Sequence, residues 1–255
     1  MVLHVSMCQM RSVDDPVENL ARAETCIRGA DSDLFVFPEM FLSSYGGTLP
    51  AGFAERSIGE LRRICIEKDC AVCMGLPMED GGLRNSLVFI APDDTVRYDK
   101  RFLARFGDYA ETGFEAGTGQ TMAEWKGMRI GLSICYDVMF PETHRGYAMA
   151  GADAVIVASA SLSGSRRFME TVCPARSLEN TVYTAYVNNT GRFGDGTFFG
   201  GSTLYSPLGE TVTRLGQGEE IAEVVLDHAE IERARRLRPH LADLKSSEMG
   251  DIYRC

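Results

Sequence analysis

Short apolar runs rich in β-branched and aromatic residues recur along this chain, and segments with helix signals separate many of them. The runs include residues 2–9, DLFVFP at 33–38, residues 71–76, residues 128–134, DAVIVASA at 153–160 and TVYTAYVN at 181–188. Uninterrupted apolar runs of this length fit strands buried on both faces, as in sheets covered by helices. Between them, SVDDPVENLARAETCIRGA offers Asp14 or Asp15 as a cap, Pro16 for the first helical turn and Gly29 as a stop. Further helices are predicted from about Ser57 to Lys68, up to Met149 with Gly151 as the stop, and from about Arg166 to Glu179.

Turn chemistry decides how the strands connect. Pro92, Asp93 and Asp94 join strands near Leu83 to Ala91 and Thr95 to Lys100 into a hairpin, and Lys126-Gly127 turns a second hairpin within 121–135. A glycine-rich loop at 191–201 precedes two or three further strands that reach Leu226. Alternating helices and strands argue for an α/β protein, and the hairpins require mixed sheets. The expected architecture is a two-sheet sandwich with helices outside. No linker, charge block, repeat or low-complexity segment divides residues 1–255, so a single domain is expected. The last segment, about 230–255, starts helical, becomes polar after Pro239, and is expected to pack on a partner subunit.

A chain of 255 residues with 45% hydrophobic content can bury a sizeable core. Its 26 basic and 36 acidic residues give a net charge of −10 with no basic stripe, which argues against nucleic acid as a partner. No apolar run approaches the roughly 18–20 residues that cross a bilayer, and the N-terminus lacks the features of a signal peptide. A cytoplasmic protein without a membrane partner is expected. In that reducing compartment most of the eight cysteines are expected to be free core thiols.

One of those thiols stands out by position. In GLSICYDVMFPETHR, at 131–145, the strand-like run ends at Ile134, and Pro141 and Glu142 stand where a helix begins. Cys135 therefore lies at a strand-to-helix corner, where nearby N–H groups favour thiolate and suit a nucleophile. A small buried core residue is the alternative that local sequence leaves open. None of His4, His144, His228 and His240 sits at an obvious strand end, so a base other than histidine is sought. Glu39 follows LFVF and Pro38 directly, and Lys100 ends another strand; in α/β sheets the carboxyl edge is where ligands bind. Cys70 and Cys73 have the spacing of a metal or redox pair, but no second pair follows, and core packing is the expected role. The loop GRFGDGTFFGG is expected to border a substrate pocket or a subunit interface.

Three segments carry a family resemblance. FPEMF at 37–41, YDKRFLARFGDY at 98–109 and GLSICYDVMFPE at 131–142 resemble, in order, the signature segments of the nitrilase superfamily of carbon–nitrogen hydrolases. The resemblance extends through 151–160, 173–191 and 200–210, so it covers nearly the whole chain. It implies an αββα four-layer sandwich, a homodimer or higher homo-oligomer, and no metal or organic cofactor. It also implies a Glu-Lys-Cys triad: Glu39 as general base, Cys135 as the nucleophile that forms a thioester, and Lys100 beside the oxyanion with the backbone N–H of Tyr136. A second glutamate often lies between lysine and cysteine in this family; the candidates are Glu111, Asp108 and Glu115, with Glu111 preferred.

The stretch ASASLSGS at 158–165 lacks the tryptophan frequent in nitrilases and several amidases of the family, which favours a small carboxamide over a nitrile as substrate. Val138 and Met139 stand where carbamoyl-amino-acid hydrolases commonly place an arginine, although Arg166 and Arg167 could serve instead. An amidase releasing acid and ammonia is the expected activity. An N-carbamoyl hydrolase or a nitrilase are the alternatives within the family, and a catalytically inactive scaffold is the alternative outside it.

Overall fold

The computed structural model describes residues 1–107 and 110–246. The chain opens with β1 (Val2–Gln9), α1 (Pro16–Gly29), β2 (Leu34–Val36), α2 (Phe53–Lys68), β3 (Ala71–Glu79), β4 (Leu83–Ile90) and β5 (Thr95–Asp99). It continues with β6 (Met122–Trp125), β7 (Met128–Ile134), a 3-10 turn at Cys135–Met139, α3 (Pro141–Met149), β8 (Ala154–Ser159), α4 (Arg166–Asn180) and β9 (Tyr183–Asn188). Strands β10 (Thr190–Phe193), β11 (Gly196–Phe199), β12 (Thr203–Tyr205), β13 (Thr211–Arg214) and β14 (Glu220–Asp227) precede α5 (His228–Leu237) and α6 (His240–Ser246).

Two six-stranded mixed sheets result, ordered β14-β1-β2-β3-β4-β5 and β13-β12-β9-β8-β7-β6. Strands β1, β2 and β3 are mutually parallel, as are β7, β8 and β9, and hairpins extend each sheet in antiparallel fashion. Alternation along the strands produces the layers. Leu34 and Val36 of β2 face the core between the sheets, together with Leu132, Ile134, Ile156 and Ala158 of the other sheet. Phe35 points the other way, to a second core under α1 and α2 that also holds Ala23, Ile27, Leu61 and Ile64. Val155 and Val157 face a third core with Tyr147, Met169 and Cys173 of α3 and α4. Period-two alternation in strands with no solvent face requires helices on both outer surfaces, which gives the αββα sandwich.

Local signals place most boundaries. The Asp15 side chain accepts from the Val17 N–H at 2.9 Å and Pro16 opens α1, which resolves the choice between Asp14 and Asp15. Lys126 and Gly127, at φ 44° and 80°, form the tight turn of the β6–β7 hairpin.

Two expectations need correction. Helix α2 begins at Phe53 rather than near Ser57, because Phe53 and Ala54 are buried and extend its apolar face. The segment expected as a glycine-rich loop at 191–201 instead pairs as the β10–β11 ribbon, turning at Gly194 with φ 53°. Helix α3 begins at Pro141, where the sequence places it, and a short 3-10 turn separates it from the end of β7, with Phe140 extended at φ −97° and ψ 101° before the proline.

Among the described residues no helix is long and apolar enough to cross a membrane. Of the segment 230–255, residues up to 246 continue α5 and form α6, and 247–255 lie outside the described residues.

Candidate active site

Strands β2, β5 and β7 end at the same side of the sandwich, and the residue or residues just past each end carry the site. Strand β5 pairs antiparallel with β4, which pairs antiparallel with β3, so β5 runs in the direction of β2 and β3. Beyond β2 the chain turns sharply while staying bound to β3: Phe37 N–H donates to the Cys73 carbonyl at 2.8 Å and Leu42 N–H to the Gly75 carbonyl at 3.1 Å. Met40 adopts a left-handed φ of 53° within this turn. A Cβ on Gly75 would lie 2.2 Å from the Pro38 carbonyl oxygen and 2.6 Å from the Met40 nitrogen. Only glycine lets β3 approach the turn that carries Glu39.

Glu39 and Lys100 are fully buried at their side chains, and Lys100 Nζ donates to Glu39 Oε1 at 2.7 Å. The same Nζ lies 2.8 Å from Glu111 Oε2. Asn85 Nδ2 donates to both carboxylates, at 2.8 Å to Glu39 Oε1 and 2.7 Å to Glu111 Oε1. The Ala104 N–H donates to Glu111 Oε2 at 2.7 Å, and the Ala160 N–H, just past β8 in the opposite sheet, to Glu39 Oε2 at 2.8 Å. Two carboxylates sharing one ammonium leave an excess of negative charge in a dry site. Burial pushes the Glu39 carboxyl above its ordinary range; Lys100 opposes this and Glu111 reinforces it. Burial acts to lower Lys100, but the surrounding Glu39, Cys135 and Glu111 outweigh it and hold the ammonium well above its usual value.

Cys135 follows β7 with a left-handed φ of 45°, a conformation costing a non-glycine residue about 1–3 kcal/mol. Asp137 braces this corner. Its Oδ2 accepts from the Ile134 N–H at 3.1 Å and from the Tyr98 hydroxyl at 2.8 Å, and its Oδ1 accepts from the Phe102 N–H at 2.9 Å. One buried carboxylate thus ties the cysteine corner to the strand and loop on either side of Lys100. The Cys135 thiol contacts Ser161 Oγ at 3.4 Å, and Ser161 bonds Ser159 at 2.7 Å. Burial first, and then the Glu39 charge, push the thiol up to about 12, with Lys100 and the two serines opposing. The expectation that the corner favours thiolate is therefore overturned. Cys135 opens a five-residue 3-10 turn rather than a long helix, and burial, followed by the Glu39 charge, works against the thiolate there. The Tyr136 N–H falls in the first turn of that element, where backbone donors lack helical acceptors.

A cavity of about 780 Å³ opens over Cys135 and Tyr136, walled by Tyr45, Leu162, Phe168 and Phe198 among others. Its rim draws on the three loops around 45, 104–107 and 160–165 and on the β10–β11 ribbon, so the segment 191–201 does border the pocket, as strands rather than loop.

The fold thus brings together Glu39, Lys100, Cys135 and, of the three candidates for a second carboxylate, Glu111. Glu115 instead pairs with Arg84 at 3.3 Å in a partly exposed position, and Asp108 lies outside the described residues. Arg166 and Arg167 do not line the cavity, and Arg166 is held by Glu170 at 3.0 Å. None of the histidines lines it. Cys73 faces the core between the sheets and Cys70 the core under α2, so this pair does not converge. Sequence reasoning missed Asn85, Asp137, Gly75 and Tyr45. An asparagine two residues before the apolar run 87–90 of β4, and the aspartate two residues after the cysteine, were the available signals.

Comparison with known proteins shows the family and the fold. The carbon-nitrogen hydrolase family profile matches residues 4–236. An (R)-stereoselective amidase of Pseudomonas sp. is 32% identical over 260 residues, covering 98% of this chain and 94% of the relative. A CN-hydrolase superfamily protein from Xanthomonas campestris, solved with an arsenic adduct in its active site, superposes with a TM-score of 0.86 at 25% identity, covering 95% of this chain and 97% of the other. A glutamate-to-glutamine variant of the amidase from Nesterenkonia sp. AN1, showing covalent addition of the acetamide moiety of fluoroacetamide at its active-site cysteine, superposes with a TM-score of 0.78 at 26% identity over 93% of this chain and 95% of that one. With the sandwich, the order of its strand-end residues and the family profile in agreement, this chain belongs to the carbon-nitrogen hydrolase family, within the nitrilase superfamily.

Proposed function

We propose that the protein is an amidase that cleaves the C–N bond of a carboxamide through a thioester on Cys135. The observation that carries the reading is the buried cluster of Glu39, Lys100 and Glu111 behind a thiol at the floor of an open cavity. Burial and the Glu39 charge hold the thiol in its protonated form, so attack requires a base, and Glu39, the anion of the cluster whose charge acts on the thiol, supplies it.

In the proposed sequence Glu39 takes the thiol proton as Sγ bonds to the amide carbon. The carbonyl electron pair moves onto oxygen, and that oxyanion is stabilised by the Lys100 ammonium and the Tyr136 N–H. Glu39 then returns the proton to the departing nitrogen, the C–N bond breaks, and ammonia leaves behind the thioester. Water attacks the thioester carbon as Glu39 accepts its proton, the carboxylic acid departs, and the proton returns to Sγ. Glu111 and Asn85 hold Glu39 and Lys100 in register and touch no reacting atom, so they are positioning residues.

Ammonia release from a panel of carboxamides tests the reading. Cys135→Ala is expected to abolish it, and Glu39→Gln to lower it by about a thousand-fold or more. Wild-type turnover in Cys135→Ala would end the proposal.

A further inference from the structure

The cavity over Cys135 differs in chemistry from the cluster beneath it. Its walls carry Tyr45, Phe106, Leu162, Phe168, Phe193 and Phe198. Phe193 and Phe198 stack across the ribbon at 5.1 Å, and Tyr45 meets Phe193 edge-on at 5.6 Å, so one wall is a continuous aromatic surface. No lysine or arginine is among the described residues that line the cavity, and Asp195 is the one carboxylate among them. Arg105, Arg166, Arg167 and Arg192 flank lining residues in the sequence but do not themselves line the cavity, and Arg166 is held by Glu170.

We propose that the acyl part of the substrate is apolar, of aromatic size and free of any anionic group. The inference rests on the amidase reading and deepens it. A carboxylate brought into this cavity would lose its hydration with no lining cation to replace it. Apolar substituents gain on leaving water, each methylene worth about fourfold in binding. The volume also decides. About 780 Å³ lies in the upper part of the roughly 300–1,000 Å³ range of ligand pockets, and a two-carbon amide would leave most of it to water.

The test uses the full-length protein and pairs of amides matched in length. Pentanamide and the monoamide of glutaric acid have the same carbon chain and differ by a terminal carboxylate. Pentanamide is expected to exceed the monoamide in kcat/KM by about a hundred-fold, 3-phenylpropanamide to exceed pentanamide, and acetamide to fall tens of fold below it. Phe168 is 60% exposed at the rim, so Phe168→Arg leaves the fold intact and is expected to narrow the pentanamide preference about tenfold. Equal or faster turnover of the carboxylated amide by the wild type would overturn this inference alone. Absence of ammonia release from every amide in the panel would overturn the amidase reading and the inference with it.

Discussion

Asn85 and Lys100 reach the same two carboxylates: the asparagine amide and the lysine ammonium each bond both Glu39 and Glu111. Their backbones are also joined, since the Lys100 N–H donates to the Asn85 carbonyl at 2.9 Å. A neutral donor on β4 and a charged one just past β5 thus close a four-membered polar cluster in which each carboxylate is bonded from two sides. Removing the neutral donor leaves the charges unbalanced without changing their number.

Asn85→Ala is therefore expected to lower kcat by about five- to a hundred-fold, corresponding to a lost buried donor worth about 1–3 kcal/mol. Because the Asn85 bond favours the ionised form of Glu39, its loss should also move the acid limb of the pH–rate profile upward. A fall in rate with an unmoved acid limb would point to a packing role instead.

Gly75→Ala is expected to displace the Glu39 turn, because the new methyl meets backbone atoms of Pro38 and Met40 that have no flexible side chain to yield. Stability should fall by about 1–3 kcal/mol in urea titration and kcat/KM by more than that loss explains. Gly59→Ala serves as the control. It lies in α2 with open space around its Cβ position and is expected to stabilise by about 0.5–1 kcal/mol with no change in rate.

The pH profile should be governed by the carboxylate rather than the thiol. With Cys135 held near 12, no activity rise is expected where an ordinary thiol ionises, at about 8.5. As pH falls, Glu39 takes up a proton and the base is lost; its raised carboxyl puts this limb above that of a free glutamate. In Glu39→Gln the thiol loses a neighbouring anion, so ultraviolet titration of the thiolate should find it ionising at lower pH than in the wild type. An unchanged or higher thiol ionisation in that variant would contradict the assigned coupling.

Asp137 links stability to pH. Burial pushes its carboxyl up to about 6 from an ordinary 3.8, against Lys100 and its hydrogen-bond donors. A carboxyl raised in the folded state binds its proton more tightly there than in the unfolded chain. Its contribution is therefore fully present below about 3.8 and is lost as pH rises through about 6, a change of about 3 kcal/mol. The difference in unfolding free energy between wild type and Asp137→Asn should vary with pH across that window and level off above it. A difference that is flat between pH 4 and 7 would exclude the shift.

The layered architecture was legible because buried strands impose apolar runs and because the hairpin turns at Pro92–Asp94 and Lys126-Gly127 have few alternatives. The β10–β11 ribbon was not, since glycines at 191, 194, 200 and 201 serve a tight ribbon as well as a loop. Among Glu111, Asp108 and Glu115 the family resemblance gives no firm choice; the structure separates Glu111 from Glu115 by burial, one in the cluster and one on Arg84.

By itself the sequence determined that Glu39, Lys100 and Cys135 each follow the end of a strand, because strand limits are set by local patterns of apolar and turn-forming residues. Only the tertiary structure decided that these ends converge, that Asn85 and Asp137 hold them, and that burial and Glu39 push the cysteine away from thiolate. The cause is physical: ionisation at Cys135 depends on desolvation and on a carboxylate 96 positions away in the chain, and neither is a property of the residues beside it.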